Sequence, residues 1–416
     1  MARVDEARIA RPLDALNFFL ADVRDGLGPY LAIYLLTVQQ WDEASIGIVM
    51  SVAALAGIIA QTPAGALIDR TTAKRAIVIA AAIVVTLGSI VLPLYPGFLF
   101  VATTQALTGV AAAVFAPALA AITLGIVGPK AFARRIGRNE AFNHAGNAVA
   151  ATLAGISAYF FGPVVVFWLM AAMAAASILA TLAVPGDAID DHVARGLDET
   201  TRGDAEHPDQ PSGFRVLLTC RPLLVFAACT VLFHFANAAM LPLVGQKLAL
   251  VNRDLGTTLM SLCIVAAQLV MVPVAMIVGR SADTVGRKPI FAIALAVLAL
   301  RGVLYPLSDN PYWLVGVQLL DGIGAGIFGA LFPLVVADLT RGSGHFNVSQ
   351  GAIATAAGIG GALSTAAAGL IVVTAGYSAA FSALAAVAGA GLLLFLTLMP
   401  ETRPHAAAGD GPVPNA

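Results

Sequence analysis

Charge is scarce in this chain: Asp, Glu, Lys and Arg make up 11% of its 416 residues, against about a quarter in an average globular domain. So small a polar share cannot clothe a soluble surface, and a hydrophobic content of 59% points to the bilayer as solvent. Cysteine is almost missing. Cys220, Cys229 and Cys263 show no metal-binding spacing and fall in or beside apolar runs, so they read as small buried residues. Strand-like alternation punctuated by turn signals is absent, which excludes a transmembrane barrel and leaves helices. There is no nucleotide-binding P-loop, no metal-spaced His/Cys set and no extramembrane segment large enough to carry chemistry. These absences exclude an ATP-driven pump acting alone and argue against an enzyme, a cofactor or a metal. A net charge of −1 gives no reason to expect nucleic acid as a partner.

What is present is a series of twelve apolar runs of membrane-spanning length, near 13–38, 45–69, 76–95, 98–127, 138–161, 164–184, 221–246, 256–278, 289–308, 312–338, 348–374 and 377–398. Between the sixth and seventh, Pro185 to Pro211 turns rich in charge and poor in aliphatics, too polar to bury itself. The expected organisation is an N-terminal six-helix bundle (1–184), a cytoplasmic linker (185–214), a C-terminal six-helix bundle (215–402) and a disordered tail (403–416). Of the 23 Lys and Arg residues, 19 fall at the two termini or in the even-to-odd loops, whereas the opposite loops hold only Lys247 and Arg253. By the positive-inside rule both termini are cytoplasmic. The first apolar run is too long, too charged and too poor in small residues near its end for a cleaved signal peptide, and is expected to stay as span 1.

That first span carries Asp22, Arg24 and Asp25 about halfway along. At about 1.5 Å of rise per residue the acidic pair lies roughly 14–18 Å from the cytoplasmic end, where each charge costs on the order of 2.5–3.5 kcal/mol to insert. Phe18, Asp22, Asp25 and Pro29 share one sector of the helix, and Arg24 points to roughly the opposite side. Two readings follow: a structural ion pair that locks the bundle, or a functional pair in a cavity, which the grouping favours. Span 5 has a polar stripe of Glu140, Asn143, His144 and Asn147 that cannot face lipid.

The two halves repeat. Pro29 and Pro242, Gln105 and Gln318, Gly109 and Gly322, and Phe115 and Phe328 are 213 apart; Gly65 and Gly279, Asp69 and Asp283, and Lys74 and Lys288 are 214 apart. Agreement at one offset, within a single residue, across spans 1, 2 and 4 points to a duplicated six-helix unit. The loops GALIDRTTAKRAI (from Gly65) and GRSADTVGRKPIF (from Gly279) resemble the two copies of the cytoplasmic signature of the major facilitator superfamily, G-x-L-A-D-R-x-G-R-K-x-x-L. The first copy keeps Gly65, Leu67, Asp69, Arg70 and Lys74; the second keeps Gly279, Asp283, Gly286, Arg287 and Lys288. The first has Thr72 and Ala73 where Gly and Arg are expected, which predicts a weaker latch in the N-terminal half. The ending Met399-Pro400-Glu401-Thr402 resembles the family's closing P-E-T, and QALTGVAAA from Gln105 resembles its R-x-x-Q-G-x-G, with Gln105 in the Arg position.

The resemblance implies an all-α membrane protein of twelve transmembrane helices in two pseudo-symmetric bundles, with a central cavity lined by spans 1, 4, 7 and 10. It also implies a latch in which Asp69 and Asp283 stabilise the state closed to the cytoplasm. An Asp there can accept from backbone N–H groups at a neighbouring helix N-terminus, with the basic residues in water beside headgroups. Near mid-depth the four lining spans carry Asp22 and Asp25, Gln105 and Thr108, His234 and Asn237, and Gln318 and Asp321. Expected proton-coupling residues are therefore Asp22, Asp25, Arg24 and Asp321; expected solute-binding residues are Tyr30, Gln105, His234, Asn237, Gln318, Asn143 and Asn147. A bundle partner for Arg24 or Arg301 is the competing role for Asp321. The function implied is a monomeric, multi-pass secondary transporter of the inner membrane, moving a small organic solute by proton antiport. Span 5 reads AGNAVAATLAG where family antiporters carry G-x-x-x-G-P-x-x-G-G, which keeps proton symport open as the alternative. A non-transporting membrane sensor is a third reading.

Overall fold

The structure is a computed structural model and describes residues 2–25, 28–162, 164–197, 220–251 and 256–403. Within these the chain makes twelve long helical passes. Span 1 is Ala2–Asp25 continued by Gly28–Thr37, and span 2 is Glu43–Arg70. Span 3 is Lys74–Val91, followed by a single 3-10 turn. Phe98–Ala112 runs into Phe115–Phe161, which breaks at Gly128 into the end of span 4 and the whole of span 5. Span 6 is Val165–Ala183; span 7 is Arg221–Ala238 with Met240–Val251; spans 8, 9 and 10 are Gly256–Val285, Arg287–Leu304 and Pro311–Thr340. Phe346–Leu398 breaks at Gly376 into spans 11 and 12.

Local chemistry sets these limits. Asp42 caps span 2 by accepting from the Ser45 N–H at 2.9 Å, and Asn310 caps span 10 by accepting from the Tyr312 N–H at 2.8 Å, with Pro311 at the first helical position. Gly128 (φ 67°) and Gly376 (φ 85°) end one span and start the next in a left-handed conformation that other residues resist. Apolar surface left outward, including Leu99, Ile59, Tyr159 and Val373, is what lipid, unlike water, accepts at no cost.

Two apolar cores form. One is built from spans 1 to 6, around Leu16, Tyr34, Phe115 and Phe167. The other is built from spans 7 to 12, around Phe226, Phe291, Leu331 and Phe395, and it runs on into Leu124, Phe132, Ala133 and Ile136 of the first half. The cores merge at the end of the molecule that bears the signature loops. There a Cβ on Gly65 would overlap the Asn347 backbone, one on Gly351 the Gln61 carbonyl, and one on Gly137 the Ala275 carbonyl and Gly279. Gly137 and Gly351, and Ala275 and Gln61, are each 214 apart, so the repeat read in the sequence reappears as paired seams: span 2 on span 11 and span 8 on span 5. Toward the other end the seams part. A Cβ on Gly47, Gly155 or Gly369 would meet nothing within 4 Å.

The start of the linker departs from its expected solvated character. Asp190 caps a short helix, Asp191–Ala194, whose Val193 and Ala194 are buried. This piece touches both halves: the Asp190 N–H donates to the Gly125 carbonyl (3.0 Å), the Asn347 amide to the Ala194 carbonyl (3.0 Å) and the Gly342 N–H to the Gly196 carbonyl (2.6 Å). Two buried apolar residues and a row of backbone bonds suffice to dock it. Residues 198–214 of the linker and the tail from 404 lie outside the described residues.

Candidate functional site

Where the two cores diverge lies a cavity of about 560 Å³. Both halves line it. Asn17 and Arg24 come from span 1, Gln61 from span 2, Asn139 and Glu140 from span 5, His234 from span 7, Phe328 and Phe332 from span 10, and Gln350 from span 11. Spans 1, 4, 7 and 10 all contribute as the resemblance implies, but spans 2, 5 and 11 contribute as well.

Arg24, expected on the face opposite the acids, is on the cavity wall. The side chains of Asp22 and Asp25 lie outside the described residues. His234 also lines the cavity, its Nδ1 bonded to the Thr230 carbonyl at 3.0 Å and its ring edge-on to Phe328 at 4.8 Å. A carbonyl can only accept, so Nδ1 carries the proton and Nε2 is left as an acceptor in the neutral ring. Glu140 is the carboxylate of the wall among the described residues. His144 Nε2 stands 4.0 Å from it, and His144 Nδ1 bonds Gln268 of span 8, in the other half, at 2.8 Å. Glu140 lies against Gly329 of span 10, so this acid sits on the seam between the halves.

Other expected site residues are placed elsewhere. Asp321 is engaged by Arg301, a residue 1% exposed, and Gln318, 0% exposed, donates to Asp321 at 3.0 Å and accepts from the Tyr305 hydroxyl. This network ties spans 9 and 10 inside the second bundle, and neither residue lines the cavity. Asp321 and Gln318, expected at the proton-coupling and solute-binding sites, are thus placed with their helix face turned into the bundle. Asp321→Asn is expected to lower the melting temperature in detergent while leaving any proton-driven flux intact, since breaking a buried pair costs up to about 3–5 kcal/mol. Loss of proton-driven flux without loss of stability would return Asp321 to the coupling set. Gln105 is buried in span 4, the Tyr30 hydroxyl donates to the Ala151 carbonyl at 3.3 Å, and Asn143, Asn147 and Asn237 are half-buried; none of them lines the cavity.

The signature loops are unequal in the opposite sense to that expected. Asp69, 1% exposed, accepts from the Val348 N–H (2.8 Å), the Asn347 N–H (3.2 Å) and the Asn347 amide (2.8 Å), capping span 11 across the seam. Gly65 lets the helices close to that distance. Lys74 is not in open water either: it is 1% exposed and bonds Asp191 of the linker at 2.5 Å. Arg70 is exposed. In the second copy Gly279 meets span 5, but Asp283, its side chain 50% exposed, pairs with Arg287 of its own loop at 2.7 Å. Arg287 also holds Asp338 at 3.0 Å. Gly286, at φ 105°, lets the Glu401 carboxylate approach and accept from the N–H groups of Arg287 (2.8 Å) and Lys288 (3.1 Å). Burial alone would raise Glu401, but the N–H donors of Arg403, Arg287, Lys288 and Thr402 outweigh it and hold the carboxyl below the usual glutamate range.

Paired signatures, a duplicated bundle and a cavity between the halves all meet in sequence comparison, which matches residues 14–251 and again 227–413 to the Major Facilitator Superfamily. The chain belongs to the major facilitator superfamily. Two uncharacterized MFS-type transporters of Mycobacterium tuberculosis, from strains CDC 1551 / Oshkosh and ATCC 25618 / H37Rv, are each 66% identical to it over 395 residues, which is 95% of this chain and 94% of theirs. The crystal structure of the human organic anion transporter MFSD10 (TETRAN) shares the fold, with a TM-score of 0.67 at 15% identity over 94% of this chain and 99% of that one. As a member of the major facilitator superfamily the protein is a multi-pass membrane secondary transporter, not an enzyme.

For this superfamily member the sequence reading missed one network outright. Asp14 of span 1 accepts from Arg135 at 2.7 Å and from Arg138 at 2.6 Å, and Arg135 bonds Asn139, which bonds Thr123 at 2.8 Å. The available signal was the Arg135–Arg138 spacing, three apart on one face of span 5. His345, in the loop before span 11, has a buried Nδ1 with no partner among the described residues, and burial and then nearby Arg195 push the imidazole below its usual range. The undocked ring binds a proton more readily, so the docked loop is favoured above about pH 6.5 and weakens progressively below it. Limited proteolysis of the linker should accelerate on acidification in the wild type and not in His345→Asn.

Proposed function

We propose that this transporter exports a small organic solute across the inner membrane in exchange for protons, with the signature end and both termini in the cytoplasm. The observation that carries the reading is Glu140: a carboxylate on the cavity wall, at the seam, 4.0 Å from the Nε2 of His144, whose Nδ1 bonds Gln268 of the opposite half. A carboxylate in low dielectric gains from taking a proton and from finding a cation, so its charge can follow which side has access. Asp22 and Asp25 of span 1 remain proposed partners in the same proton transfer. The excess of Lys and Arg at the signature end supports the orientation. In that orientation the molecule is closed to the cytoplasm and parted toward the outside.

Proteoliposomes with an internal pH dye test this directly, using solutes chosen by their ability to raise the melting temperature. Antiport moves protons against the solute flow, symport moves them with it, and a sensor moves neither. Proton movement in the same direction as the solute would replace export by uptake.

A further inference from the structure

We propose that the cavity takes organic anions with a flat apolar body, Arg24 holding the anionic group and the aromatic wall of span 10 the body. This rests on the reading of the cavity as the cargo site and adds the charge and shape of the cargo.

The first observation is a contrast among arginines. Arg135, Arg287 and Arg301 each meet a carboxylate: Asp14, Asp338 and Asp321. Arg24 lines the cavity, and among the described residues no carboxylate lies within the 4.0 Å of an ion pair. The side chains of Asp22 and Asp25 lie outside the described residues. A guanidinium cannot shed its proton, and an unanswered charge at this depth is expensive. An anion arriving in the cavity answers it, and a planar carboxylate or sulfonate matches its fork of donors.

The second observation is the opposite wall. Phe328 stacks on Phe332 at 5.6 Å and 16° and on Phe233 at 4.7 Å and 19°, with His234 set edge-on against it. Phe328, Phe332 and His234 reach the cavity, so the C-terminal half offers a continuous aromatic face while the N-terminal half offers the cation. A bare inorganic anion meets only one of these poles. A solute that meets both must be amphipathic, and the cavity is within the usual range for drug-sized ligands.

The test is titration calorimetry on the purified full-length protein with 2-naphthoate and its cationic counterpart 2-naphthylmethylammonium, followed by uptake of both into proteoliposomes with a pH dye. Naphthoate should bind and the ammonium should not. Arg24→Gln should weaken naphthoate roughly tenfold or more, with Arg24→Lys between the two. Equal or tighter binding of the ammonium, no binding of naphthoate by the wild type, or unchanged binding by a folded Arg24→Gln protein would each overturn the proposal. If Arg24→Gln does not fold, the wild-type charge preference and Arg24→Lys decide. Proton-coupled movement of the ammonium alone would leave the transport reading standing and remove the anion. Arg24-dependent binding of naphthoate without any transport would do the reverse.

Discussion

Glu140→Gln is expected to abolish transport driven by a pH gradient while leaving solute-for-solute exchange in place. The amide keeps the size of the carboxyl and can still sit against Gly329, but it cannot take or release a proton. On the proposed proton-coupled mechanism, exchange needs only the rocking of the loaded carrier, whereas uphill transport needs the carboxylate to change charge between the two orientations. His144→Asn should show a weaker form of the same defect, because His144 supplies the link to Gln268 of span 8. Counterflow and gradient-driven flux, measured on the same vesicles, separate the two activities. Undiminished gradient-driven flux in Glu140→Gln would move the coupling to Asp22 and Asp25.

The second large effect is expected at the other side of the seam. Asp69→Asn should shift the molecule toward the state open at the signature end. The carboxylate caps span 11 with three donors, all from the opposite half, and hydrogen bonds to a charged group are worth about 1.5–3 kcal/mol each. An Asn oxygen keeps part of this, so a net loss of roughly 1–3 kcal/mol and a 5- to 150-fold shift in the equilibrium are expected. Spin labels at positions 72 and 284, exposed sites on opposite halves, would report a longer distance in the variant. Asp283→Asn should change that distance little, since Asp283 is spent within its own half. An unaltered distance distribution in Asp69→Asn would remove the latch.

The parts legible in the sequence were those carried by repetition and by local chemistry. Apolar runs announce spans, and the offset of 213 to 214 residues announced the duplicated halves, whereas the glycine seams that join them emerged only from the packing. The role of Asp69 could be stated in kind, a carboxylate on a neighbouring helix N-terminus, but not its partner, because nothing in Asn347 or Val348 distinguishes them from other residues near a helix start. Rotational phase was the weakest inference. Periodicity says that Gln318 and Asp321 share a face, yet not whether that face meets the cavity or Arg301, and contacts with Arg301 and Tyr305 decide it. The same ambiguity put Arg24 away from the cavity. Asp14 was overlooked because its partners are more than 120 residues away in the chain.

The seams have one more consequence. Where span 5 meets span 8 and span 2 meets span 11, the touching residues include Gly137, Gly279, Gly65 and Gly351, which have no rotamers to freeze or release. Opening such a joint therefore returns almost no side-chain entropy, and closing it demands almost none. The side chains at the joint therefore add no entropic bias toward either orientation, which leaves the balance to terms of a few kcal/mol such as a single hydrogen ion or one bound molecule.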